Sequence, residues 1–255
     1  MPLWARETAP ARRFNPGVCL VRRSMKTERF DDSRAILFDY GGTLDSDGER
    51  WPDRFFSLYE EANLQIPRHE IKEAFYYAED LCYADESVSS LGLRPFMRLH
   101  VHLQFNALGL HDQGREAELA DKFCARSETS FVQARCLLKR VKPFFRLGIV
   151  SNFYGNLTVV LKEAGLLDFL DVTIDSSRVG IRKPDPGIFL LALGQLGLSP
   201  HHVIFVGDSY ERDIIPSGRL GMKTIWLRPP GSDVPLEMKA DASVSGLSEI
   251  EALIL

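Results

Sequence analysis

The chain has few cysteines, no excess of basic charge and no long hydrophobic run, and each absence argues against a class of protein. The net charge of −4 lacks the basic excess of a nucleic-acid-binding protein. No apolar run approaches the roughly 20 residues needed to span a bilayer. We therefore expect neither nucleic acid nor a membrane as a partner. The cysteines are scattered without C-x-x-C spacing, which predicts reduced thiols in a cytoplasmic protein: they are Cys19, Cys82, Cys124 and Cys136.

The first 33 residues lack the hydrophobic segment of a secretory signal and any helical or strand periodicity. Five arginines face a single acidic residue, Glu7, before residue 28. This composition predicts that residues 1–33 are disordered or an extension segment without a catalytic role. An organelle transit peptide, and an upstream extension ahead of a start at Met25, are both left open.

Strands and helices alternate along the second half of the chain. Hydrophobic residues make up 45% of the sequence, enough for a sizeable core. Alternation of this kind predicts an α/β fold, with a Rossmann-like parallel sheet and helices on both faces. The predicted strands are 35–38, 147–150, 171–174, 203–206, 223–227 and 242–244.

A helical insertion interrupts this pattern between the first two strands. Four helices are predicted there, at 52–62, 67–83, 95–108 and 115–131, and a fifth, at 137–145, leads into the second strand. The 112-residue separation of Asp39 from Ser151 is too long for one crossover, so we expect an inserted helical-bundle cap. The predicted cap is residues 47–132 and the core is residues 34–46 and 133–255, with hinges at 45–48 and around Gln133.

Polar side chains stand where the predicted strands end. Asp39 follows the first strand, Ser151 ends the second and Asp208 follows the fourth, with Asp213 five residues on. The carboxyl ends of parallel strands meet at one edge, where ligands bind. Lys183, held by a following proline, would reach the same edge from a loop. Carboxylates beside a lysine predict a hard-cation site next to an anion site.

These stretches, in this order, resemble the haloacid dehalogenase-like superfamily of phosphohydrolases over about residues 34–255. The motifs that carry the resemblance are Asp39-Tyr-Gly-Gly-Thr-Leu44, Ser151-Asn152, Lys183-Pro-Asp185 and Gly207-Asp-Ser-x-x-x-Asp213. Each motif alone is weak, whereas the four together are specific.

The resemblance implies a role for each motif residue. Asp39 would be the nucleophile, forming an aspartyl-phosphate, and also a ligand of Mg²⁺. Asp208 and the main-chain carbonyl of Gly41 would be further ligands, and Asp213 would hold metal-bound water or orient Lys183. The remaining residues would neutralise or donate to the phosphate: Thr43, Ser151, the Asn152 amide and Lys183.

One position departs from the family pattern. The family's nucleophile loop carries a second Asp two residues after the first, which protonates the leaving group, but here that position is Gly41. General acid–base catalysis is worth about 10²–10⁴-fold, so esters with poor leaving groups should be affected most. A substitute carboxyl would have to come from elsewhere, and the candidates are Asp45, Asp47, Glu79 and Asp80.

Three interpretations follow. The first is a Mg²⁺-dependent phosphatase that acts on a small phosphorylated metabolite with a substitute acid or an activated substrate. The second is phosphonate or carbon–halogen cleavage; the former needs a cap lysine, for which Lys72 is a poor match, and the latter dispenses with the metal for which Asp208 and Asp213 argue. The third is a catalytically impaired phosphometabolite-binding protein. The sequence leaves the oligomeric state open.

The cap should close over the site and select the substrate. Four aromatic residues either face the site or form the cap core: Trp51, Tyr76, Tyr77 and Phe96. Arg94 and Arg98 are candidates for binding a second anionic group of the substrate.

Overall fold

One parallel β-sheet forms the centre of the structure, a computed structural model that describes residues 30–228 and 240–255. Six strands occur in these ranges: β1 (Ala35–Phe38), β2 (Arg146–Ser151), β3 (Val172–Asp175), β4 (Val203–Gly207), β5 (Lys223–Leu227) and β6 (Ala242–Val244). Their order is β3-β2-β1-β4-β5-β6, and every neighbouring pair is parallel. The order reverses beside β1, which is where ligands bind in sheets of this kind. The predicted α/β fold class is confirmed.

The side chains of β1 alternate between two buried layers. Ile36 and Phe38 belong to the larger apolar cluster, which continues into the helical insertion, whereas Ala35 and Leu37 belong to a second cluster on the opposite face. All four side chains are fully buried. A strand covered on both faces needs an unbroken apolar run, which is why 35–38 contains no polar residue.

Helices cover both faces of the sheet and form the insertion between β1 and β2. Four long helices make up the insertion: α1 (Trp51–Glu61), α2 (Arg68–Ala84), α3 (Leu93–Ala107) and α4 (Gln113–Val141). The helices that follow β2 are α5 (Leu157–Glu163), α6 (Ser176–Val179), α7 (Pro186–Leu196), α8 (Ile215–Arg219) and α9 (Ile250–Ile254). No helix among the described residues combines the length and apolar character that crossing a bilayer requires.

Helix α4 differs from the expectation of two separate helices at 115–131 and 137–145. It is continuous from Gln113 to Val141, and the carboxylate of Asp112 caps its first turn by accepting from the Arg115 N–H at 3.0 Å. Its buried stripe runs across the expected gap through Phe131, Ala134 and Leu137, so the helix has no reason to break there. The hinge expected around Gln133 therefore falls inside a helix, and the boundary between cap and core at residue 133 stays a prediction.

The described fold begins before the expected end of the N-terminal extension. Phe30 is buried within the larger apolar cluster, and the ring Nδ1 of His202 lies 2.8 Å from the carbonyl oxygen of Asp32. Phe30 thus packs in the core, and the chain next to it is tied to His202. The rest of the proposed extension, with Cys19, lies outside the described residues. The other three cysteines are free thiols, two of them buried.

Candidate active site

Asp39 lies at the point where β1 leaves the sheet. Its N–H still bonds to the carbonyl of Val206 at 2.9 Å, which continues the ladder with β4 by one residue. Its Oδ1 accepts a 2.9 Å hydrogen bond from the Ser151 hydroxyl at the end of β2. The register pairs Phe38 with Ile149. Adjacent parallel strands therefore bring these two residues together, although 112 positions separate them.

Lys183 links two of the predicted carboxylates. Its Nζ lies 2.7 Å from Oδ1 of Asp39 and 2.6 Å from Oδ1 of Asp213, and the side chain is almost completely buried. Burial alone would lower the pKa of Lys183, but the two carboxylates outweigh it and raise the pKa above its usual value. The side chain is therefore a fixed ammonium group.

Asn152 holds the loop that carries this lysine. Its Nδ2 donates to the carbonyl of Lys183 at 2.9 Å, and its Oδ1 accepts from the Lys183 N–H at 2.7 Å. Both ends of the side-chain amide thus bind one residue. This positions the lysine, and a direct contact between Asn152 and phosphate stays a prediction.

Three buried carboxylates lie together at this edge of the sheet. Asp39, Asp208 and Asp213 each offer an oxygen within 4.8 Å of the others. Burial raises the pKa of Asp208 well above its usual value, and the negative charges of Asp39 and Asp213 raise it further. One ammonium group among three carboxylates leaves an excess of negative charge, which a divalent cation would neutralise. An all-oxygen donor set suits Mg²⁺.

The loop after Asp39 fits closely around Asp208. Gly42 has a φ of +92°, and a Cβ on it would stand 2.6 Å from the Asp208 carboxylate. Thr43 is fully buried, and its hydroxyl donates to Oδ1 of Asp208 at 3.3 Å. Gly41 lines the pocket, whereas Thr43 is not among the lining residues. Thr43 thus supports the Asp208 carboxylate, and its contact with phosphate stays a prediction.

A small pocket of about 70 Å³ opens over these groups and extends to the cap. Its aromatic wall comprises Trp51, Phe75, Tyr76, Phe153 and Tyr154. Trp51 and Tyr76 thus face the site, which is one of the two positions expected for the four aromatic residues of the cap. Phe96 instead packs in the cap core, 4.7 Å from the ring of Tyr154, and Tyr77 lies outside the pocket lining.

Charged groups that the sequence analysis did not assign complete the pocket. Arg50 precedes the first residue of α1, and Arg212 lies between Asp208 and Asp213, one residue before the latter. That position was a usable signal, because any side chain of a turn between two site carboxylates starts near the site. Arg94 and Arg98 instead pair with Asp121, at 2.6 and 3.5 Å, on the exposed cap surface.

Comparison with known proteins identifies one family of hydrolases to which this chain is similar. Residues 33–220 match the family described as haloacid dehalogenase-like hydrolase. The chain is 26% identical, over 234 residues, to haloacid dehalogenase-like hydrolase domain-containing protein 3 of Danio rerio, a match that covers 86% of this chain and 95% of that protein.

Two further similarities differ in extent. The chain is 34% identical to pyrimidine 5'-nucleotidase YjjG of Escherichia coli (strain K12) over 120 residues, 46% of this chain, and it spans only about half (53%) of that relative. A solved dehalogenase structure with an intermediate complex superposes with a TM-score of 0.61, covering 88% of this chain and 99% of that one. The sequence identity to that dehalogenase is 22%, so the likeness concerns the fold.

Proposed function

This chain belongs to the haloacid dehalogenase-like hydrolase family, and we propose that it is a Mg²⁺-dependent phosphatase acting on a small phosphorylated metabolite. The observation that carries the proposal is the position of Lys183. Its ammonium group lies between Asp39 and Asp213, beside the third carboxylate, Asp208. An anion-binding cation next to a cation-binding carboxylate cluster is what phosphoryl transfer requires.

Asp39 would be the nucleophile. One of its carboxylate oxygens forms a bond to phosphorus while the bond from phosphorus to the ester oxygen breaks, giving an aspartyl-phosphate that water then hydrolyses. The Ser151 hydroxyl and Lys183 fix the carboxylate through Oδ1. They also place a donor and a positive charge where negative charge develops on the phosphoryl oxygens.

Mg²⁺ would be held by Asp39, Asp208 and the main-chain carbonyl of Gly41, with Asp213 orienting Lys183 and metal-bound water. When bound, it neutralises charge on the carboxylates and on the substrate phosphate. Asp213 suits its part because its Oδ1 contacts Lys183 and its Oδ2 accepts from the Ser209 N–H at 3.1 Å.

The other chemistries find less support. Phosphonate cleavage would need a cap lysine in the pocket, but Lys72 is exposed and is not among the lining residues. Carbon–halogen cleavage would leave the Asp208–Asp213 pair without a metal to bind. A binding protein without catalysis would not need Asp39 held against both a lysine and a serine.

The substrate is proposed from the pocket. A lining that combines aromatic rings with Arg50 and Arg212 suits a phosphate ester that carries a flat ring. A pyrimidine nucleotide fits this description. The Escherichia coli protein that is similar to about half (46%) of this chain is named as a pyrimidine 5'-nucleotidase. The cytoplasmic location stays a prediction.

The test is an assay of the full chain with acetyl phosphate, p-nitrophenyl phosphate and a panel of sugar and nucleoside monophosphates. Activity should require Mg²⁺, disappear with a chelator, and be absent in Asp39→Asn. If neither acetyl phosphate nor any ester is hydrolysed while Mg²⁺ and phosphate still bind, the chain is a binding protein. Phosphonate or haloacid turnover would instead establish one of the other chemistries.

A further inference from the structure

We propose that Glu79, on cap helix α2, is the general acid that protonates the leaving group and then the base that activates water, in place of the carboxyl that Gly41 lacks. The inference rests on the proposed phosphatase activity. It concerns a residue from the cap, whereas the nucleophile, the lysine and the metal carboxylates all come from the core.

The four candidate substitute carboxyls differ in whether they reach the pocket, and three of them do not. Asp45 is fully buried, and its carboxylate accepts from Trp51, Gly42 and Ser46. Asp47 accepts from the Leu247 N–H at 2.6 Å. Neither lines the pocket, and the exposed Asp80 does not either.

Glu79 is the one of the four that lines the pocket, which it shares with Asp39 and Gly41. The other carboxyls lining the pocket are the three of the metal cluster. Each of those has an assigned partner or ligand role, so among the described residues Glu79 is the pocket carboxyl left for proton transfer.

Contacts from the core hold Glu79 in place. The hydroxyl of Tyr154 donates to Oε1 of Glu79 at 3.2 Å. Tyr83, one helical turn further along α2, packs against the Tyr154 ring with centroids 4.6 Å apart. The Arg182 guanidinium lies 3.9 Å from the centre of the Tyr83 ring. Arg182 directly precedes Lys183, and Tyr154 follows Asn152 by two residues. The groups that position Glu79 therefore belong to the same loops as the proposed phosphate-binding residues.

The surroundings of Glu79 favour the protonated form of its carboxyl more than water does. Burial raises the pKa of Glu79, and Asp80 adds a smaller rise. Arg212, the hydrogen bond from Tyr154 and Arg182 all lower it, but burial prevails. A carboxyl with a raised pKa is suited to donate a proton in one step and accept one in the next.

Each step conserves its atoms and protons. As Asp39 bonds to phosphorus and the phosphorus–oxygen ester bond breaks, the departing oxygen takes the proton of the Glu79 carboxyl and leaves as an alcohol. The Glu79 carboxylate then takes a proton from water while the water oxygen bonds to phosphorus. The bond from Asp39 to phosphorus breaks, which releases phosphate and restores the Asp39 carboxylate and the protonated Glu79 carboxyl.

The test compares Glu79→Gln with the unaltered protein and with Asp80→Asn. Asp80→Asn is a matched control on the exposed side of the same helix. We expect Glu79→Gln to slow alkyl phosphate hydrolysis by at least about 100-fold. With p-nitrophenyl phosphate, whose leaving group needs no proton, it should release one equivalent of nitrophenolate in a burst as fast as the unaltered protein, then turn over slowly. Across substituted phenyl phosphates, the rate of this first step should depend more steeply on the pKa of the phenol.

Other outcomes overturn the inference. Unchanged alkyl phosphate turnover in Glu79→Gln would show that the carboxyl is not needed. A burst slowed as much as alkyl phosphate hydrolysis would show a positioning role instead, and thermal unfolding of both variants would detect misfolding. These results differ from failure of the proposed function, in which the unaltered protein itself hydrolyses none of the substrates.

Discussion

The indole Nε1 of Trp51 donates a 2.6 Å hydrogen bond to Oδ2 of Asp45 and thereby joins the cap to the loop that follows Asp39. The other carboxylate oxygen of Asp45 accepts from the Gly42 N–H at 2.8 Å. Burial raises the pKa of Asp45, whereas Arg54 and the hydrogen bonds lower it. One buried carboxyl thus fixes both the loop that follows Asp39 and the first residue of α1.

The two adjacent glycines of this loop should respond differently to the same change. In Gly42→Ala the new methyl group would stand 2.6 Å from the Asp208 carboxylate, at a φ of +92° that disfavours any side chain. We expect Mg²⁺ binding to weaken and kcat/KM to fall at least about 100-fold, as for other displacements of about 1 Å in an active site. Calorimetric titration with Mg²⁺ and steady-state kinetics measure both.

Gly41→Ala is the matched control. Its Cβ would meet Trp51 at 3.4 Å, and the backbone there, with φ −73° and ψ 120°, is open to any residue. Stability should change by no more than about 0.5 kcal/mol. Equal loss of Mg²⁺ affinity in both variants would contradict the close fit of Gly42 against Asp208.

Removing the Lys183 ammonium should destabilise the fold as well as abolish activity. Lys183→Met leaves Asp39 and Asp213 as buried, unpaired charges, which costs about 3–5 kcal/mol in comparable buried pairs. Chemical denaturation measures the loss, and Mg²⁺ should recover part of it because the cation binds the same carboxylates. Lys142→Met, which breaks the partly exposed 2.7 Å pair with Asp171, should cost no more than about 1 kcal/mol.

Much of the core site could be predicted from sequence because it lies at strand ends. Asp39, Ser151 and Asp208 each sit at or directly after the end of an apolar run, and the parallel sheet alone brings such positions to one edge. Their convergence requires no knowledge of the cap. The six strands follow from the same runs, and their observed bounds agree with the predicted ones to within one residue.

The cap contribution could not be predicted, for a different physical reason. Whether Glu79 or Asp80 faces the site depends on how α2 packs against the core, here through Tyr83 and Tyr154. Neighbouring helical positions differ by about 100° around the axis, so a small rotation would exchange them. Helix α4 shows the same limit: the sequence suggested a break between residues 131 and 137, whereas the helix is continuous there, with Phe131, Ala134 and Leu137 buried against its neighbours.

A buried histidine should make the cap sensitive to acid. His100 lies among the rings of Phe55, Phe75 and Phe96, and burial lowers its pKa to about 3. An unfolded histidine binds a proton near pH 6.5. Below that pH the unfolded state therefore binds more protons than the folded state, so stability falls as the pH falls toward 3.

Between pH 7.5 and 5.5 this linkage should remove about 1.4 kcal/mol of stability. Denaturant unfolding of the unaltered protein and of His100→Leu at both pH values measures the effect, since the other titrating groups are shared. His100→Leu should lose that much less stability over the interval. Identical pH dependence in the two proteins would mean that His100 binds its proton equally well in the folded and unfolded states.

Restoring the absent carboxyl should change which substrates are hydrolysed. The backbone at Gly41 accepts a side chain, and a Cβ there makes only ordinary contact with Trp51. Gly41→Asp would place a second carboxyl two residues after the nucleophile and near the metal carboxylates. In the Glu79→Gln background, which lacks the proposed acid, we expect alkyl phosphates, whose leaving groups need a proton, to react about 10–100-fold faster. Acetyl phosphate, whose leaving group needs little protonation, should gain little.

The ratio of the two rates is therefore the quantity to measure, in the unaltered protein and in Glu79→Gln. If Glu79 is the acid, Gly41→Asp should accelerate alkyl phosphate hydrolysis much less in the unaltered protein than in Glu79→Gln, because Glu79 already supplies the one proton required. Equal acceleration of both substrate classes would mean that the new carboxylate acts by binding the metal rather than by donating a proton. The unaltered protein would then owe its substrate preference to the metal site rather than to the acid.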